Sequence, residues 1–303
     1  MTQGAGALPP PGPEADSDLP LDAHLHTDLS PDSDVPIDVF CAAAVERGIP
    51  ELAITDHLDF DPRAPAFAFA DFATRERTVR QAAERWAGHG LALRFGVEIS
   101  YESQRDSEIR AYLAGHPYDF VIGSVHVMRD SPYTGRSVAG WVAGKSIDEI
   151  VAPYFGEVAA AVRSELFDTL GHLDYIKKYV AEHVPPAAFA AAAHAYEPIL
   201  RALVETGTGL EVNASGLRQA PREPYPAAWV VKRYREMGGE VVTAGSDAHR
   251  AHSFAYGLAH TYAVAAAAGF GELAIRRAPG APRPNDRVAI PERFRAAARP
   301  GGT

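Results

Sequence analysis

Residues 21–27, with the sequence LDAHLHT, form a short apolar run that ends in two histidines, His24 and His26. Six more short apolar runs follow, and segments of helical length separate most of them. These runs are ELAITDH, LRFGVEIS, DFVIGSVH, FDTLGHLD, GLEVNAS and EVVTAGSDAH. Alternation of this kind is typical of βα units, in which the strands are parallel and buried. The sequence therefore predicts an α/β fold, namely one seven-stranded (β/α) barrel similar to a TIM barrel.

Each of the seven runs carries polar residues at its carboxyl end. In chain order these are His24 with His26, Asp56 with His57, Glu98, His126, His172, Asn213, and Asp247 with His249. The carboxyl ends of the strands in a parallel barrel meet on one face, and that face carries the chemistry. We therefore expect these side chains to lie together at one mouth of the barrel.

The residue types in this set indicate a metal site. His24 and His26 are two positions apart, so on a strand they point the same way and can bind one ion. Alone, the pair could be two structural histidines, because a chain with this many histidines contains about half an HxH pair by chance. Six of the seven strand ends supply a histidine or a carboxylate, however, which capping does not explain. We therefore predict a multinuclear metal centre built from His24, His26, His57, Glu98, His126, His172, Asp247 and His249.

The composition excludes several classes of protein. The chain has 303 residues, of which 47% are hydrophobic, and its net charge of −10 argues against a nucleic-acid partner. Cys41 is the only cysteine, so neither an intramolecular disulfide nor a thiolate metal cluster can form. No apolar stretch is long enough for a membrane helix. We expect a cytoplasmic protein that has neither a nucleic acid nor a membrane as its partner.

The chain divides into three parts. Residues 1–20 are rich in proline, glycine and acid and lack the features of a signal peptide, so we expect a disordered leader. Residues 21–275 form the barrel domain, and residues 276–303 form a loosely packed tail rich in arginine and proline. Helices are expected at 37–47, 71–87, 187–205, 225–237 and 254–268, and another begins at Ser146 with a capping box to Glu149. Residues 129–145 form a long loop and are a candidate lid.

The motifs HLHT, TDH, GVE, GSVH, GHLD and SDAH resemble, in order, those of the PHP (polymerase and histidinol phosphatase) family. The resemblance covers about residues 21–270. Within the family, LEVNASGLR followed by EPYP is most similar to the stand-alone histidinol-phosphate phosphatases. This resemblance implies a distorted (β/α)7 barrel that holds three divalent metal ions. Ligands of this kind suit zinc, iron or manganese without choosing among them.

The resemblance also implies how the ligands are shared. His24, His26, Glu98 and Asp247 would hold the first ion, and Glu98 would bridge to a second ion completed by His126 and His172. A metal-bridged hydroxide held by Glu98, Asp247, His24 and His26 would then attack phosphorus in line.

The third ion would be held by His57, His249 and an acidic residue shortly after HLHT. Asp32 occupies that place, and Asp34 is a nearby alternative.

Candidate residues for substrate binding are cations near the same barrel face. Arg218 is a candidate phosphate clamp, since a guanidinium can bind phosphate through two hydrogen bonds. Lys177, Lys178 and Arg250 are further candidates, and each of these cations could instead be a solvated surface residue. Residues expected to orient the imidazoles from behind are Asp56, Ser124, Asp174 and Asn213.

The resemblance favours hydrolysis of L-histidinol phosphate to L-histidinol and phosphate, a step of histidine biosynthesis. The first alternative is a phosphatase of the same family that acts on another small phosphoester or a nucleotide. A remote alternative is a non-catalytic domain that a metal stabilises. Loss of ligands would mark such a domain, and in this sequence the set is intact.

Overall fold

The core of the computed structural model is a parallel sheet whose strands lie in the order of the sequence. The structure describes residues 16–126, 138–283 and 286–298. The strands of the sheet are β1 (Asp22–Leu25), β2 (Glu51–Ile54), β3 (His57–Leu58), β4 (Ala92–Ser100), β5 (Phe120–Ser124), β6 (Thr169–Leu170), β7 (Gly209–Asn213) and β8 (Val242–Gly245). Strand β3 continues the line of β2 and pairs with the second half of β4. The seven predicted runs are therefore all strands, which confirms the α/β barrel.

The first and last strands of the sheet approach each other and almost close the barrel. The N–H of His26 donates to the carbonyl of Ala248 at 3.1 Å, and the N–H of Asp247 donates to the carbonyl of His24 at 2.9 Å. Gly245 permits this approach, because a Cβ atom added there would lie 2.2 Å from Cβ of His24. The closure brings the carboxyl ends of β1 and β8 side by side.

Helices surround the sheet, and those predicted from the sequence begin within four residues of the predicted positions. Asp71 caps the second helix by accepting from the N–H of Thr74 at 2.7 Å, and both hydrogen bonds of the Ser146–Glu149 capping box are present. The segment 187–205 is two helices that meet at Ala192. The helices are α1 (Ile37–Glu46), α2 (Phe72–Ala87), α3 (Asp106–Gly115), α4 (Val138–Val142), α5 (Ile147–Arg163), α6 (Lys177–Val180), α7 (Pro186–Ala191), α8 (Ala193–Thr206), α9 (Ser215–Arg218), α10 (Ala228–Glu236), α11 (Leu258–Ala267) and α12 (Glu292–Ala298).

The main hydrophobic core lies between the sheet and these helices. Cys41 of α1 is buried there, as expected for a packing residue. Of the predicted loop 129–145, residues 129–137 lie outside the described residues, and part of the remainder forms α4. Among the described helices, none is both long and apolar enough to cross a membrane.

The amino-terminal boundary of the fold lies before residue 21. Leu19 is fully buried, and the carboxylate of Asp16 accepts from the N–H groups of Gly257 and Ala259 at 2.9 and 2.8 Å. Asp16 thereby satisfies free N–H groups at the start of α11. Residues 16–20 consequently belong to the fold and not to a disordered leader, whereas residues 1–15 lie outside the described residues.

The described part of the carboxyl-terminal segment, up to residue 298, is packed, which corrects the prediction of a loose tail. Strand β9 (Glu272–Ile275) pairs antiparallel with β10 (Asp286–Ala289), and α12 packs against α11. Ile275 and Val288 form an apolar cluster with Leu21 and Phe120, where β1 and β5 begin. Two of its arginines form ion pairs with the barrel, Arg276 with Asp168 at 2.8 Å and Arg277 with Glu51 at 2.7 Å.

Candidate metal centre

Glu98, near the end of β4, lies at the centre of the predicted ligands and is fully buried. Its Oε1 atom is 2.9 Å from Nε2 of His172 and 3.2 Å from Nε2 of His126. Its Oε2 atom faces the other way and is 2.9 Å from Nδ1 of His57 and 3.4 Å from Nε2 of His24. One carboxylate thus reaches two groups of imidazoles, as a bridging ligand must.

Asp247 completes the side of the site that the end of β1 forms. Its Oδ1 atom is 3.3 Å from Nε2 of His26 and 3.8 Å from Nε2 of His24. Asp247 has a positive φ of 54°, a conformation that few residues other than glycine adopt. Its N–H donates to the carbonyl of His24, and its carboxylate accepts from the amide of Asn213, which together hold it there. His24, His26 and Asp247 offer three ligand atoms within 4.8 Å of one another.

The acidic residue after HLHT that faces the site is Asp32. Its Oδ2 atom lies 3.2 Å from Nε2 of His249 and 3.4 Å from Nε2 of His57. Asp34 points away and pairs with Arg250 at 3.3 Å, with most of its side chain exposed. The geometry therefore favours Asp32 over Asp34 as the partner of His57 and His249.

The chemistry of this cluster fits metal ions better than hydrogen bonds. Nε2 of His24, Nε2 of His26 and Oε2 of Glu98 are buried and make no hydrogen bond within the described part of the chain. Buried polar atoms without partners are costly, and these three converge on the same space. Two donor atoms on one ion, each about 2.1 Å from it, lie roughly 3–3.5 Å apart, which is the spacing seen here.

The electrostatic environment favours the metal-binding forms of Glu98 and His26, whereas at His24 and His57 the neighbouring carboxylates outweigh burial and raise the pKa well above 6.5. Burial would raise the pKa of Glu98, but the imidazoles of His126, His24 and His57 outweigh that effect and hold it well below 4.5. Burial, together with the nearby His249 and His57, brings the pKa of His26 well below 6.5. The carboxylate is therefore ionised, and His26 is a neutral imidazole with a lone pair to donate.

A cavity of about 670 Å³ opens above this cluster, at the carboxyl ends of the strands. Asp32, His57, His126, Asp247 and His249 form part of its wall, so ions held there would face a bound molecule. The cavity has the size of an ordinary small-molecule site.

A family model of the PHP domain matches residues 22–215, which is more than half of the chain. The chain belongs to the PHP family. The matched segment contains every predicted ligand except Asp247 and His249, which follow it at the end of β8.

Curated relatives of this PHP chain are histidinol-phosphatases. It is 29% identical over 235 residues to a probable histidinol-phosphatase of Deinococcus radiodurans, covering 76% of this chain and 86% of the relative. It is 27% identical over 259 residues to the histidinol-phosphatase of Lactococcus lactis subsp. lactis, covering 84% and 93%.

A solved structure is similar over most of this PHP fold. It is a histidinol phosphate phosphatase of Lactococcus lactis subsp. lactis complexed with zinc, L-histidinol and phosphate. The TM-score is 0.73 at 26% sequence identity, and the match covers 85% of this chain and 97% of that chain.

Lys177 was predicted to bind substrate, but it does not line the cavity, so this prediction is wrong. Its Nζ atom is buried and lies 2.6 Å from Oδ2 of Asp174 and 2.7 Å from Oε1 of Glu223, outside the cavity wall. A short helix points Lys177 into the core, where the two carboxylates neutralise it. The next residue, Lys178, points into the cavity instead.

The two predicted arginines do line the cavity. The guanidinium of Arg218 donates to the carbonyls of Ser246 and Asp247 at 2.8 and 2.9 Å, so it also secures the loop that carries Asp247. Arg250 is half exposed at the rim and donates to the carbonyl of Asp32 at 2.9 Å. Both residues therefore hold the backbone of ligand loops.

Glu211 supports the ligands from behind, and the sequence analysis did not identify it. It is buried on β7, and its Oε1 atom lies 2.6 Å from Nδ1 of His24. Its Oε2 atom accepts from the N–H of His172 at 2.8 Å and from the amide of Asn213 at 3.0 Å. The available signal was its position two residues before Asn213, on the same face of a buried strand.

The four residues predicted to orient imidazoles act on other groups. Ser124 donates to Oε1 of Glu98 at 2.5 Å, and Asn213 donates to Oδ2 of Asp247 at 3.3 Å, so both orient carboxylates. Asp56 holds the turn after β1 through Thr27 at 2.6 Å. Asp174 forms the ion pair with Lys177 described above.

Proposed function

We propose that this PHP protein is a metal-dependent phosphomonoester hydrolase that converts L-histidinol phosphate and water to L-histidinol and phosphate. The observation that carries the proposal is the bridging position of Glu98 between two groups of imidazoles, directly below an open cavity. The choice of substrate is supported by the histidinol-phosphatase relatives and by the structural relative that holds L-histidinol and phosphate. The reaction would belong to histidine biosynthesis.

The proposed site holds three divalent ions, of zinc, iron or manganese. Their ligands are His24, His26, Asp32, His57, Glu98, His126, His172, Asp247 and His249, shared as the family resemblance implies. When bound, such ions lower the pKa of water so that it can attack phosphorus at neutral pH, and they withdraw negative charge from the phosphate. A neighbouring relative with zinc supports divalent ions of this type.

The residues of the chain itself position the reaction. Glu98 and Asp247 contribute negative charges at fixed places, and their supports Ser124 and Asn213 keep them there. Arg218 lines the cavity and is the proposed contact for a phosphate oxygen. The buried floor around Glu98 limits the access of water to the reacting face.

A comparison of kcat/KM for L-histidinol phosphate, nucleoside monophosphates and simple phosphate esters tests the proposal. We expect L-histidinol phosphate to be preferred, and we expect chelation, His172→Ala or Asp247→Ala to abolish hydrolysis. Preference for another ester would retain the chemistry and reject the substrate. Absence of hydrolysis of every ester, with manganese or zinc bound, would reject the enzyme and favour a metal-stabilised binding domain.

A further inference from the structure

Among the residues that the structure describes, three cationic side chains line the cavity, and they differ in how much of their hydrogen-bonding capacity is free. Arg218 and Arg250 both donate to backbone carbonyls of the ligand loops. The ammonium of Lys178 makes one hydrogen bond within the described residues, to the hydroxyl of Tyr175. An ammonium has three N–H groups, so Lys178 has two left to offer to a bound molecule.

Tyr175 fixes where this ammonium lies. The ring of Tyr175 packs at 4.4 Å from the ring of His172 and at 5.7 Å from that of His126, measured between centroids. Nζ of Lys178 is 4.7 Å from the centroid of the Tyr175 ring. The ammonium is therefore held on the side of the site that His126 and His172 form.

The reaction needs a proton donor at a place that the ligands do not supply. When an aliphatic phosphomonoester is hydrolysed, its alcohol part departs as an alkoxide. An alkoxide is a poor leaving group until it receives a proton. The guanidinium of an arginine does not release a proton in proteins. Burial raises the pKa of Tyr179 to about 12, so its phenol is a weak donor, and the hydroxyl of Tyr175 already bonds the ammonium of Lys178.

Lys178 is better suited to this task. Partial burial in the cavity wall lowers its pKa below 10.5, and the carboxylates of Asp247 and Asp32 counteract this shift in part. A lysine whose pKa is lowered in this way releases its proton more readily than a solvated lysine.

We infer that Lys178 is the general acid that protonates the leaving alcohol, with Tyr175 as the residue that positions it. The inference rests on the proposed phosphatase function. Hydroxide oxygen forms the new bond to phosphorus, and the bond between phosphorus and the alcohol oxygen breaks with its electron pair remaining on that oxygen. The proton moves from Nζ to the alcohol oxygen, and the neutral amine then takes a proton from solvent. The products are the alcohol and hydrogen phosphate.

The test compares leaving groups in Lys178→Met and Lys178→Arg, with Lys232→Met as a control. Lys232 is an exposed lysine on α10 and is not part of the cavity wall. L-Histidinol phosphate requires protonation of its leaving group, whereas p-nitrophenyl phosphate releases a stable anion that needs no proton. Circular dichroism and metal content of each variant report whether the fold and the centre are retained.

We expect both Lys178 variants to lose about 10²–10⁴-fold in kcat on L-histidinol phosphate and less than about 10-fold on p-nitrophenyl phosphate. Arginine retains the charge, so Lys178→Arg separates proton donation from phosphate binding. Equal losses on both esters, or full activity of Lys178→Arg, would overturn the inference while leaving the phosphatase intact. Asp59 and Glu102 carry carboxylates on the cavity wall. If Asp59→Asn or Glu102→Gln lost activity on L-histidinol phosphate but not on p-nitrophenyl phosphate, and the Lys178 variants did not, the inference would also be overturned.

Assays of the wild-type protein separate a failure of the proposed phosphatase function from a failure of the role of Lys178. If it hydrolyses neither ester with metal bound, the proposed function fails. If it hydrolyses both and the variants lose them in parallel, only the role of Lys178 fails. A plot of log kcat against leaving-group pKa for aryl phosphates adds a second readout, which should become steeper in Lys178→Met.

Discussion

The Oε1 atom of Glu211 lies 2.6 Å from Nδ1 of His24, whose other ring nitrogen, Nε2, faces Glu98. A carboxylate behind an imidazole fixes the tautomer, because the nitrogen next to the carboxylate carries the proton and the opposite nitrogen keeps its lone pair. Glu211 also accepts from the backbone N–H of His172. One buried side chain therefore sets the position of two predicted ligands from different strands.

We expect Glu211→Gln to weaken metal binding by about 10–100-fold, because an amide polarises the imidazole less than a carboxylate does. Metal content after dialysis against a graded series of chelator concentrations measures the change. Glu272→Gln, at an exposed position on β9, is the matched control and should retain wild-type metal content. If the two variants keep metal equally well, Glu211 has no role in holding the centre.

Asp32 and Asp34 provide a second test, because they are close in sequence but only the carboxylate of Asp32 faces the predicted ligands. Asp32→Asn removes the carboxylate that faces His57 and His249, so we expect it to lose one ion of the centre. Asp34→Asn changes only an exposed pair with Arg250 and should keep the full metal content. Elemental analysis of both proteins gives the stoichiometry. A loss of metal in Asp34→Asn alone would reverse the assignment.

The sequence predicted the seven strands and the ligand cluster because both depend on local pattern. A buried parallel strand is a short apolar run, and HLHT or SDAH stands where such a run ends. The pattern could not predict in which direction each side chain of a short helix points. Lys177 and Lys178 are adjacent and chemically alike, and only the packing of α6 determines that one faces the core and the other the cavity.

The ends of the fold were harder to predict for a different reason. Asp16 caps a helix that begins about 240 residues later, and Arg276 and Arg277 pair with acidic residues where β6 and β2 begin. Composition describes such segments as polar and rich in arginine or acid, which is equally true of disordered chains. These residues form caps and ion pairs with partners that are distant in the sequence, and the local sequence does not predict such partners.

Lys177→Met is expected to destabilise the protein without changing substrate affinity. The substitution leaves Asp174, which is fully buried, without its cation, and loss of one partner of a buried pair costs about 3–5 kcal/mol. Urea unfolding measures the free energy of unfolding, and the KM of the folded fraction for L-histidinol phosphate should stay within about two-fold, a difference under ~0.5 kcal/mol. Lys232→Met, which alters an exposed contact, should leave the free energy of unfolding nearly unchanged. A large increase in KM with an unchanged free energy of unfolding would show that Lys177 binds substrate, contrary to this prediction.

Arg277 should make the stability of the protein depend on pH through Glu51. Its guanidinium binds both carboxylate oxygens of Glu51, at 2.9 and 2.7 Å, and so ties the carboxyl-terminal segment to β2. Burial would raise the pKa of Glu51, but Arg277 and Arg94 outweigh that effect and hold it below 4.5.

A carboxyl whose pKa is lowered in the folded state contributes stability that is complete above its unfolded pKa and is lost as the pH falls through the folded pKa. Arg277→Met should therefore reduce the free energy of unfolding by about 1 kcal/mol at pH 7, a value typical of a partly exposed pair. The difference between variant and wild type should shrink once the pH falls below the usual value of 4.5. Urea unfolding at several pH values measures it, and groups common to both proteins cancel. A double-mutant cycle with Glu51→Gln isolates the pair, because the effect of Arg277→Met should nearly vanish in that background. A difference that persists unchanged at low pH would show that Arg277 acts through packing and not through Glu51.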